Sequence, residues 1–264
     1  GQFVITLGNP FSLARDGQLS ASWGIIANTG RQAQLGESQT RTTLQEYGGL
    51  IQTDVKINVG TSGGPVLNPA GQMIGMTTTL AAGPGFERSA GYALPVDTLF
   101  LRALERLKLG REVEYGHLGV IFSSMGSHWK NVPGGVPIAE AVFAAPAHRA
   151  GIQAGDIVTH VNNQPILDAD DLIYQAGRLA PTTKVRIRYY RDRRSREVPV
   201  ELSKSPVKWQ PVITNQPARW RGIQVDYSTA VTIYDHAARV GLIDARGCVA
   251  IRDVEEESRA WRAG

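Results

Sequence analysis

The sequence predicts a mainly β protein with some α-helix, organised as several small modules. Residues 1–96 consist of short apolar runs separated by Gly, Asn, Asp and Ser turns, which is typical of a β-barrel or sandwich. Glycine is abundant, with 29 of 264 residues, in keeping with many turns. At Asp97 the apolar spacing changes from strand-like to helical, and Gly110 follows where the helix should end. The predicted apolar face of this helix comprises Phe100, Ala103, Leu104 and Leu107.

A glycine-rich stretch, Gly60–Pro65 (Gly-Thr-Ser-Gly-Gly-Pro), lies between two strand-like runs. A serine flanked by glycines can present its hydroxyl on a tight loop, and the glycines let backbone N–H groups converge on a substrate carbonyl. In this interpretation Ser62 is a nucleophile, and the N–H groups of Gly60 and Ser62 form an oxyanion hole.

Three other interpretations of this stretch exist. The Gly-x-Ser-x-Gly spacing fits the nucleophile elbow of α/β-hydrolases, but that elbow must lead from a strand into a helix. Here Pro65 and the run Val66–Gly75 predict a hairpin instead. A phosphate-binding loop would need Gly-Lys-Ser/Thr and a following helix, and neither is present. The third alternative, an idle serine in a glycine-rich turn, stays open on these six residues alone.

The segments around Ser62 resemble the HtrA (DegP-like) branch of the trypsin-like serine proteases. The matching segments are Leu7–Phe11, Trp23–Ile26, Gln52–Asp54 and Ala90–Pro95. The resemblance implies that residues 1–110 are the second β-barrel of a trypsin-like protease with its closing helix. It also implies that Ser62 is the nucleophile and that Gly60 supplies an oxyanion-hole N–H. Thr61 departs from the family, which usually has Asn there, and this departure bears on the rigidity of the loop.

The same resemblance implies a primary specificity pocket lined by Ile57, Leu80 and Ala81. All three are apolar, which favours small or medium aliphatic side chains at the cleaved position over Lys or Arg.

A serine hydroxyl needs a base, and the base needs an orienting carboxylate. The family's His and Asp segments are absent from this sequence, and the five histidines all follow Ser62: His117, His128, His148, His160 and His236. We therefore expect the chain as given to be inactive, with a different triad that recruits one of these histidines as the alternative. The strand-like start at Gly1 favours a piece of a longer polypeptide, cut within the protease domain.

A PDZ domain is expected over residues 115–204. Gly116–Phe122 (Gly-His-Leu-Gly-Val-Ile-Phe) resembles a PDZ carboxylate-binding loop and its first groove strand, so its seven residues are the candidate peptide-binding site: Gly116, His117, Leu118, Gly119, Val120, Ile121 and Phe122. Successive N–H groups in the loop can bind a C-terminal carboxylate, and the strand can pair with an added peptide. Ala144–Val158 is close to the bacterial PDZ pattern with its Gly-Asp-x-Ile. A helix is predicted over Ala169–Leu179, with Ile173 and Ala176 completing an apolar slot.

The remaining sequence is predicted to be a linker over residues 205–219 and the start of a second PDZ domain over 220–264. Gly247–Val254 echoes Gly135–Val142, and the second copy stops before any Gly-Asp-x-Ile, so we expect a truncated module that is poorly folded alone.

Charge, cysteine content and hydropathy limit the kinds of binding partner and cofactor that the sequence allows. The net charge of +4 is mild, and the densest basic run, Arg186–Arg196, is interleaved with tyrosines. Such a run can bind nucleic acid, but its alternation of apolar and basic residues favours a solvated hairpin. The single cysteine, Cys248, excludes an internal disulfide. No apolar run approaches the ~20 residues of a membrane span, and no metal or other cofactor is expected.

The family resemblance implies an HtrA-like serine endopeptidase of periplasmic or otherwise extracytoplasmic protein quality control. Such an enzyme would cleave unfolded proteins, bind C-terminal peptides and form a trimer-based homo-oligomer; a signal sequence is not in this chain. One alternative is a non-catalytic PDZ peptide-binding or scaffold protein derived from a protease. The other is an unrelated esterase that uses Ser62, which the predicted hairpin disfavours.

Overall fold

A computed structural model of the chain describes residues 1–16, 18–31, 49–78, 91–123, 134–206, 213–230, 244 and 248–263. The chain divides into two compact units, Gly1–Leu104 and Glu105–Gly264.

The first unit is a closed barrel of antiparallel strands with the order β1-β2-β3-β6-β5-β4. Its strands are β1 (Phe3–Gly8), β2 (Ser20–Arg31), β3 (Leu50–Thr53), β4 (Pro65–Leu67), β5 (Met73–Thr78) and β6 (Gly91–Pro95). Strand β4 closes the barrel by pairing with β1, where Thr6 lies opposite Val66. The interior is filled by Val4, Ile51, Val55, Val66 and Ala93. The β-barrel expected from the turn-rich sequence is confirmed.

The hairpin predicted after Ser62 is present. Strands β4 and β5 pair antiparallel, with Pro65 opposite Met76. The Asn68 side chain shapes the turn, because its Oδ1 accepts hydrogen bonds from the N–H groups of Ala70 (3.0 Å) and Gln72 (2.9 Å). A strand, and not a helix, therefore follows the serine loop, which rules out the α/β-hydrolase elbow.

Helix α1 (Thr98–Lys108) has the predicted caps. The Asp97 Oδ1 accepts a hydrogen bond from the Phe100 N–H (2.9 Å), and Gly110 ends the helix at φ +66°. The predicted apolar face is only partly buried: Ala103 is buried and Phe100 is half-buried, and the other buried residue of the helix, Leu99, lies outside the predicted set. Two members of the predicted face are exposed, Leu104 by 43% and Leu107 by 59%.

The second unit is built around a sheet with the order β13-β12-β10-β9-β8. The second unit contains, up to residue 204, the strands β7 (Gly116–His117), β8 (Val120–Phe122), β9 (Val136–Ala141), β10 (Ile157–Val161), β11 (Gln164–Pro165), β12 (Lys184–Arg191), β13 (Arg194–Glu201) and β14 (Ser203–Lys204). The same unit contains two helices, α2 (Pro146–Arg149) between β9 and β10 and α3 (Ala169–Gly177) between β11 and β12. Strand β11 pairs with β10, and β14 pairs with β7. The core includes Ile138, Ile152, Leu172, Ile187 and Leu202.

The basic run forms a hairpin of β12 and β13. Asp192 and Arg193 occupy its turn with φ of 51° and 60°, which is the type I′ geometry that suits twisted strands. Glu197 lies 3.9 Å from Arg186 and 3.3 Å from Arg188, so part of the positive charge is paired on the hairpin itself. This structure agrees with the solvated hairpin.

The aspartate of the Gly155–Val158 motif (Gly-Asp-Ile-Val) is buried and paired. Asp156 is 1% exposed and accepts two hydrogen bonds of 2.6 Å from the Arg191 guanidinium. A third bond, from the Gln153 N–H (2.8 Å), ties the turn after α2 to the same carboxylate. The hydrogen bond to Asp156 raises the pKa of Arg191 above its usual value. The motif thus joins the end of β12 to the turn before β10.

Two glycines near the Ala144–Arg149 region have left-handed backbone: Gly119, which packs against Ala145, and Gly151, which follows α2 in the sequence. Gly119 has φ +71° and a Cβ built there would overlap the Cβ of Ala145, whereas Gly151 has φ +80° and open space around it. The first position requires glycine for both conformation and space, and the second for conformation alone.

The C-terminal part contains a two-stranded sheet of β15 (Ile223–Tyr227) and β16 (Val249–Val254). Residues of the predicted linker contact the end of α1, because the N–H groups of Thr214 and Asn215 donate to the Gly110 carbonyl at 3.1 and 3.0 Å. The boundaries at 110, 115, 204, 219 and 264 stay predictions.

A group of charges around the buried Lys204, the Lys204 cluster (Glu112, Glu114, Lys204, Asp226 and Arg252), connects three segments of the second unit. The Lys204 side chain is 3% exposed, and its Nζ lies 3.0 Å from Glu112, 3.8 Å from Glu114 and 2.8 Å from Asp226. Arg252 lies 3.3 Å from Glu112 and 3.0 Å from Asp226. These contacts hold together the segment before β7, strand β14 and the β15–β16 sheet.

We expect Lys204→Met to lower the free energy of unfolding of the second unit by about 3–5 kcal/mol, because buried carboxylates would lose their central cation. Lys184→Met is the matched control, since Lys184 is exposed at the start of β12. Urea denaturation of the whole chain, followed by circular dichroism, measures both variants. Equal denaturation midpoints for the two variants would contradict the role of the Lys204 cluster.

The glycine pair gives a second prediction. Gly151→Ala should cost about 1–2 kcal/mol, the penalty for an L residue in the left-handed region. Gly119→Ala should cost a further ~1–3 kcal/mol, because the new methyl group overlaps Ala145. Urea denaturation of both variants tests this order, and a smaller loss for Gly119→Ala than for Gly151→Ala would refute the crowding.

Candidate active site and peptide-binding loop

The residues before Ser62 form a tight turn. The Thr61 N–H donates to the Asn58 carbonyl at 3.1 Å, which closes a β-turn over Asn58–Thr61. Gly60 is the third residue of this turn and has φ +93°. A positive φ at that position identifies a type II turn, since type I has a negative φ there, and it explains the glycine.

The orientation of the Val59–Gly60 peptide is held from outside the turn. The Phe11 N–H donates to the Val59 carbonyl at 2.7 Å. In a trans peptide the C=O and N–H point in opposite directions, so the Gly60 N–H faces away from Phe11.

The Leu7–Phe11 motif supplies this donor. The Asn9 side chain joins the two ends of the segment that contains Phe11. Its Nδ2 donates to the Ala14 carbonyl (3.0 Å), and its Oδ1 accepts from the Ala14 N–H (2.9 Å). Phe11 itself has φ +55°, which is unusual for a residue with a side chain. Phe11 is 60% exposed, and its contact with Val59 is made by the backbone N–H.

Thr77 of strand β5 holds the residues next to Ser62 by hydrogen bonds. Its Oγ1 donates to the carbonyls of Thr61 and Gly64, the latter at 3.1 Å. Its backbone accepts from the Gly63 N–H at 2.9 Å and donates to the Gly64 carbonyl at 2.8 Å. Ser62 is exposed on a loop that is fixed on both sides.

The Gln52–Asp54 motif has a structural role in the barrel. The Asp54 Oδ1 accepts from the Ile25 N–H at 2.7 Å, and the Thr53 Oγ1 donates to the Ile25 carbonyl at 2.8 Å. A Cβ at Gly24 would overlap the Asp54 carboxylate, so the carboxylate packs directly against this glycine. These bonds fasten the segment that leads into the serine loop to strand β2.

The predicted specificity pocket is described only in part. Ile57 is half-buried, and a Cβ at Gly91 would overlap its side chain, so β6 packs directly against Ile57. Leu80 and Ala81 lie outside the described residues.

Residues 1–104 contain no histidine, so the first unit itself supplies no imidazole base. His117, His148 and His160 belong to the second unit, on β7, α2 and β10. His128 and His236 lie outside the described residues.

The predicted carboxylate-binding loop has carbonyls turned inward. The Leu118 carbonyl accepts from the Ala147 N–H and the Gly119 carbonyl from the Val142 N–H, both at 2.9 Å. The N–H groups of Gly119 and Val120 share those two peptides, so both point away from the body of the domain. Two successive N–H groups with this orientation can receive an anion.

The strand after the loop lies at the end of the sheet. On one side β8 pairs with β9, with Val120 opposite Ala141. Its other edge has no partner among the described strands, and Ile121 is 41% exposed. Of the two predicted slot residues on α3, Ile173 is half-buried and Ala176 belongs to the core.

The described residues contain no group of three side chains able to hold a metal ion. In the same part of the chain, no helix is long and apolar enough to cross a membrane.

Sequence reasoning missed the contributions of Phe11 and Thr77 to the serine loop. Phe11 lies in a recognised motif, but nothing in the motif indicates that its N–H reaches Val59. Thr77 lies 16 residues after Thr61, and only the β4–β5 pairing brings the two together.

Two family models match the chain. Residues 1–76 match the trypsin-like peptidase domain, and residues 116–202 match the PDZ domain.

Curated relatives cover the same region. A probable periplasmic serine endoprotease DegP-like from Ectopseudomonas mendocina is 28% identical over 96% of this chain and 52% of its own length. The periplasmic pH-dependent serine endoprotease DegQ from Escherichia coli is 31% identical over 78% of this chain and 43% of its own length. The chain therefore spans about half the length of the relatives that it matches.

Solved structures agree with this assignment. The HtrA-type protease AlgW with a tripeptide has a TM-score of 0.59 and 27% identity over 78% of this chain and 66% of that one. AlgW with a decapeptide has a TM-score of 0.57 and 27% identity over 78% of this chain and 61% of that one. With a trypsin-like peptidase segment followed by a PDZ domain, the chain is similar to the HtrA (DegP-like) serine proteases in both sequence and fold.

Proposed function

We propose that this chain serves an HtrA-like serine endopeptidase of periplasmic or other extracytoplasmic protein quality control, with Ser62 as its nucleophile. The observation that carries the proposal is the type II turn before Ser62, which turns the Gly60 N–H away from Phe11. The relatives named periplasmic serine endoproteases support the compartment.

In the proposed reaction the Ser62 hydroxyl attacks the carbonyl of a peptide bond. Negative charge then develops on the carbonyl oxygen, and the N–H groups of Gly60 and Ser62 stabilise it. One such donor is worth about 10²–10³-fold in rate, provided that it is already aimed at the oxygen. The proton of the hydroxyl must go to an imidazole, which residues 1–104 lack. We propose that the intact protein supplies the His and Asp.

The proposed pocket selects substrates by size and polarity. Ile57, Leu80 and Ala81 offer no charge to a Lys or Arg side chain, so we expect cleavage after Val, Ala or similar residues. Unfolded proteins are the proposed substrates, because an extended segment must enter the site. A trimer-based homo-oligomer is proposed for the intact protein from the family resemblance.

The second proposed activity is recognition of C-terminal peptides by the PDZ domain. The outward N–H groups of Gly119 and Val120 would bind the terminal carboxylate, and the free edge of β8 would pair with the peptide backbone. The remaining residues of Gly116–Phe122 shape the loop and strand, with Ile121 exposed beside the edge.

A non-catalytic PDZ scaffold is the second candidate function. The absence of histidine from residues 1–104 favours it, and the ordered loop around Ser62 favours the enzyme.

The chain as given should not hydrolyse casein, and its labelling by a fluorophosphonate should equal that of Ser62→Ala. The intact protein from the source gene should hydrolyse unfolded casein, should cleave a peptide library after Val or Ala, and should lose all turnover in Ser62→Ala. If the intact protein binds peptides but shows no Ser62-dependent turnover, the non-catalytic PDZ scaffold is the correct function. A clear Arg or Lys preference would refute the pocket and leave the nucleophile standing.

Peptides with free, apolar C-termini should bind the whole chain with a Kd of roughly micromolar, because few side chains are buried and the peptide must be ordered. Amidation of the terminus should weaken binding by roughly 1–3 kcal/mol, since the outward N–H groups lose a charged acceptor. Calorimetry with the free and amidated forms of one peptide measures the difference, with a scrambled peptide as control. Equal affinity for both forms would show that the loop does not bind a carboxylate.

A further inference from the structure

The Thr61 hydroxyl lies inside the turn before Ser62, where Thr61 is only 8% exposed. Its Oγ1 donates to the Asn58 carbonyl at 2.6 Å and accepts from the Asn58 N–H at 3.2 Å. The Thr61 N–H donates to the same carbonyl at 3.1 Å. One residue therefore engages both backbone groups of Asn58 and joins the two ends of the turn.

The Thr61 methyl group contacts the segment that carries the Phe11 N–H. A Cβ built at Gly8 would lie 3.1 Å from the Cα, Cβ and Cγ2 of Thr61, so the end of β1 packs closely on this side chain. Gly8 is followed after two residues by Phe11, whose N–H holds the Val59 carbonyl. Thr61 thus contacts both the turn and the strand end from which its outer hydrogen bond comes.

The orientation of the Val59–Gly60 peptide needs such support. Type I and type II turns share the bond between their first carbonyl and fourth N–H, and they differ by a rotation of the central peptide. The bond from Thr61 to Asn58 therefore does not select the type. The choice between the two turn types depends on the hydrogen bond from the Phe11 N–H to the Val59 carbonyl. This hydrogen bond forms only if the two ends of the turn stay in place.

We propose that Thr61 is a positioning residue for the oxyanion hole: its hydroxyl fixes the ends of the turn so that Phe11 holds the Gly60 N–H in its type II orientation. This inference rests on the proposed function of Ser62 and Gly60.

Two substitutions separate the two parts of the side chain. Thr61→Val keeps the shape and the methyl group that contacts Gly8 but removes the hydroxyl. Thr61→Ser keeps the hydroxyl and removes the methyl group.

Kinetics of the intact protein provide the first measurement. Thr61→Val should lower kcat roughly 10- to 100-fold, part of the ~10²–10³-fold that a lost oxyanion-hole donor costs, with KM changed less than about threefold. Thr61→Ser should restore kcat to within about threefold of the original. Equal kcat for Thr61→Val and the original, or equal losses in both variants, would overturn the role of the hydroxyl.

Amide hydrogen exchange on the chain as given provides a measurement that does not depend on catalysis. In Thr61→Val the N–H groups of Asn58 and Phe11 should exchange roughly 3- to 10-fold faster, as expected for one lost hydrogen bond and its neighbour. Thr61→Ser should leave both rates unchanged. If Thr61→Val leaves both rates unchanged, the inference is wrong whether or not the intact protein is active. The exchange rates could change as expected in a protein whose intact form lacks Ser62-dependent turnover. In that case the proposed function is wrong, and the role of the Thr61 hydroxyl in fixing the turn is still supported.

Discussion

The closure of the barrel by β1 and β4 is the constraint on which the serine loop depends. The pairing places Thr6 opposite Val66, so the end of β1 lies directly against the loop that enters β4. A Cβ at Gly64 would overlap the Leu7 carbonyl, which shows how closely the two backbones approach. From this position the Phe11 N–H reaches Val59. Without the closure, the turn over Asn58–Thr61 would lose the contact that orients its central peptide.

The second unit depends instead on buried charge. Asp156 with Arg191, and the Lys204 cluster, each join segments that are distant in the sequence. Buried ion pairs contribute little net stability compared with apolar packing, but they strongly penalise arrangements in which one partner is left alone. The Lys204 cluster also includes a residue of β14, which pairs with Gly116 at the start of the proposed peptide-binding loop. Burial, followed by the Glu114 charge, raises the pKa of the adjacent Tyr227, in keeping with a poorly hydrated site.

Local signals predicted much of the fold, because they act within a few residues. The hairpin after Pro65 and the caps at Asp97 and Gly110 depend on turn and capping chemistry that the sequence displays directly. The predicted apolar face of α1 was right for Ala103 and wrong for Leu104 and Leu107, because burial depends on what the helix packs against. The buried Leu99 sits one position before the predicted face.

The supports of the candidate site were beyond the reach of the sequence. The partners Lys204 and Glu112 are 92 residues apart, and no periodicity relates them. The contact between Phe11 and Val59 joins backbone atoms, so the identity of neither side chain indicates it. Thr77 looked like an ordinary strand residue. Sequence patterns identified the loop with Ser62, and long-range pairing decided its geometry.

The two proposed anion sites are built by the same backbone device. In each, a carbonyl is held by an N–H from a neighbouring segment, Val59 by Phe11 and Leu118 by Ala147. Because the peptide is planar and trans, holding the carbonyl aims the attached N–H in the opposite direction. A glycine with positive φ follows each held carbonyl, Gly60 at +93° and Gly119 at +71°. An N–H aimed in this way needs no rearrangement when an anion arrives, and such preorganisation is what makes an oxyanion or carboxylate site effective. The two modules differ in fold, so this shared geometry follows from the chemistry of the peptide group and not from a common topology.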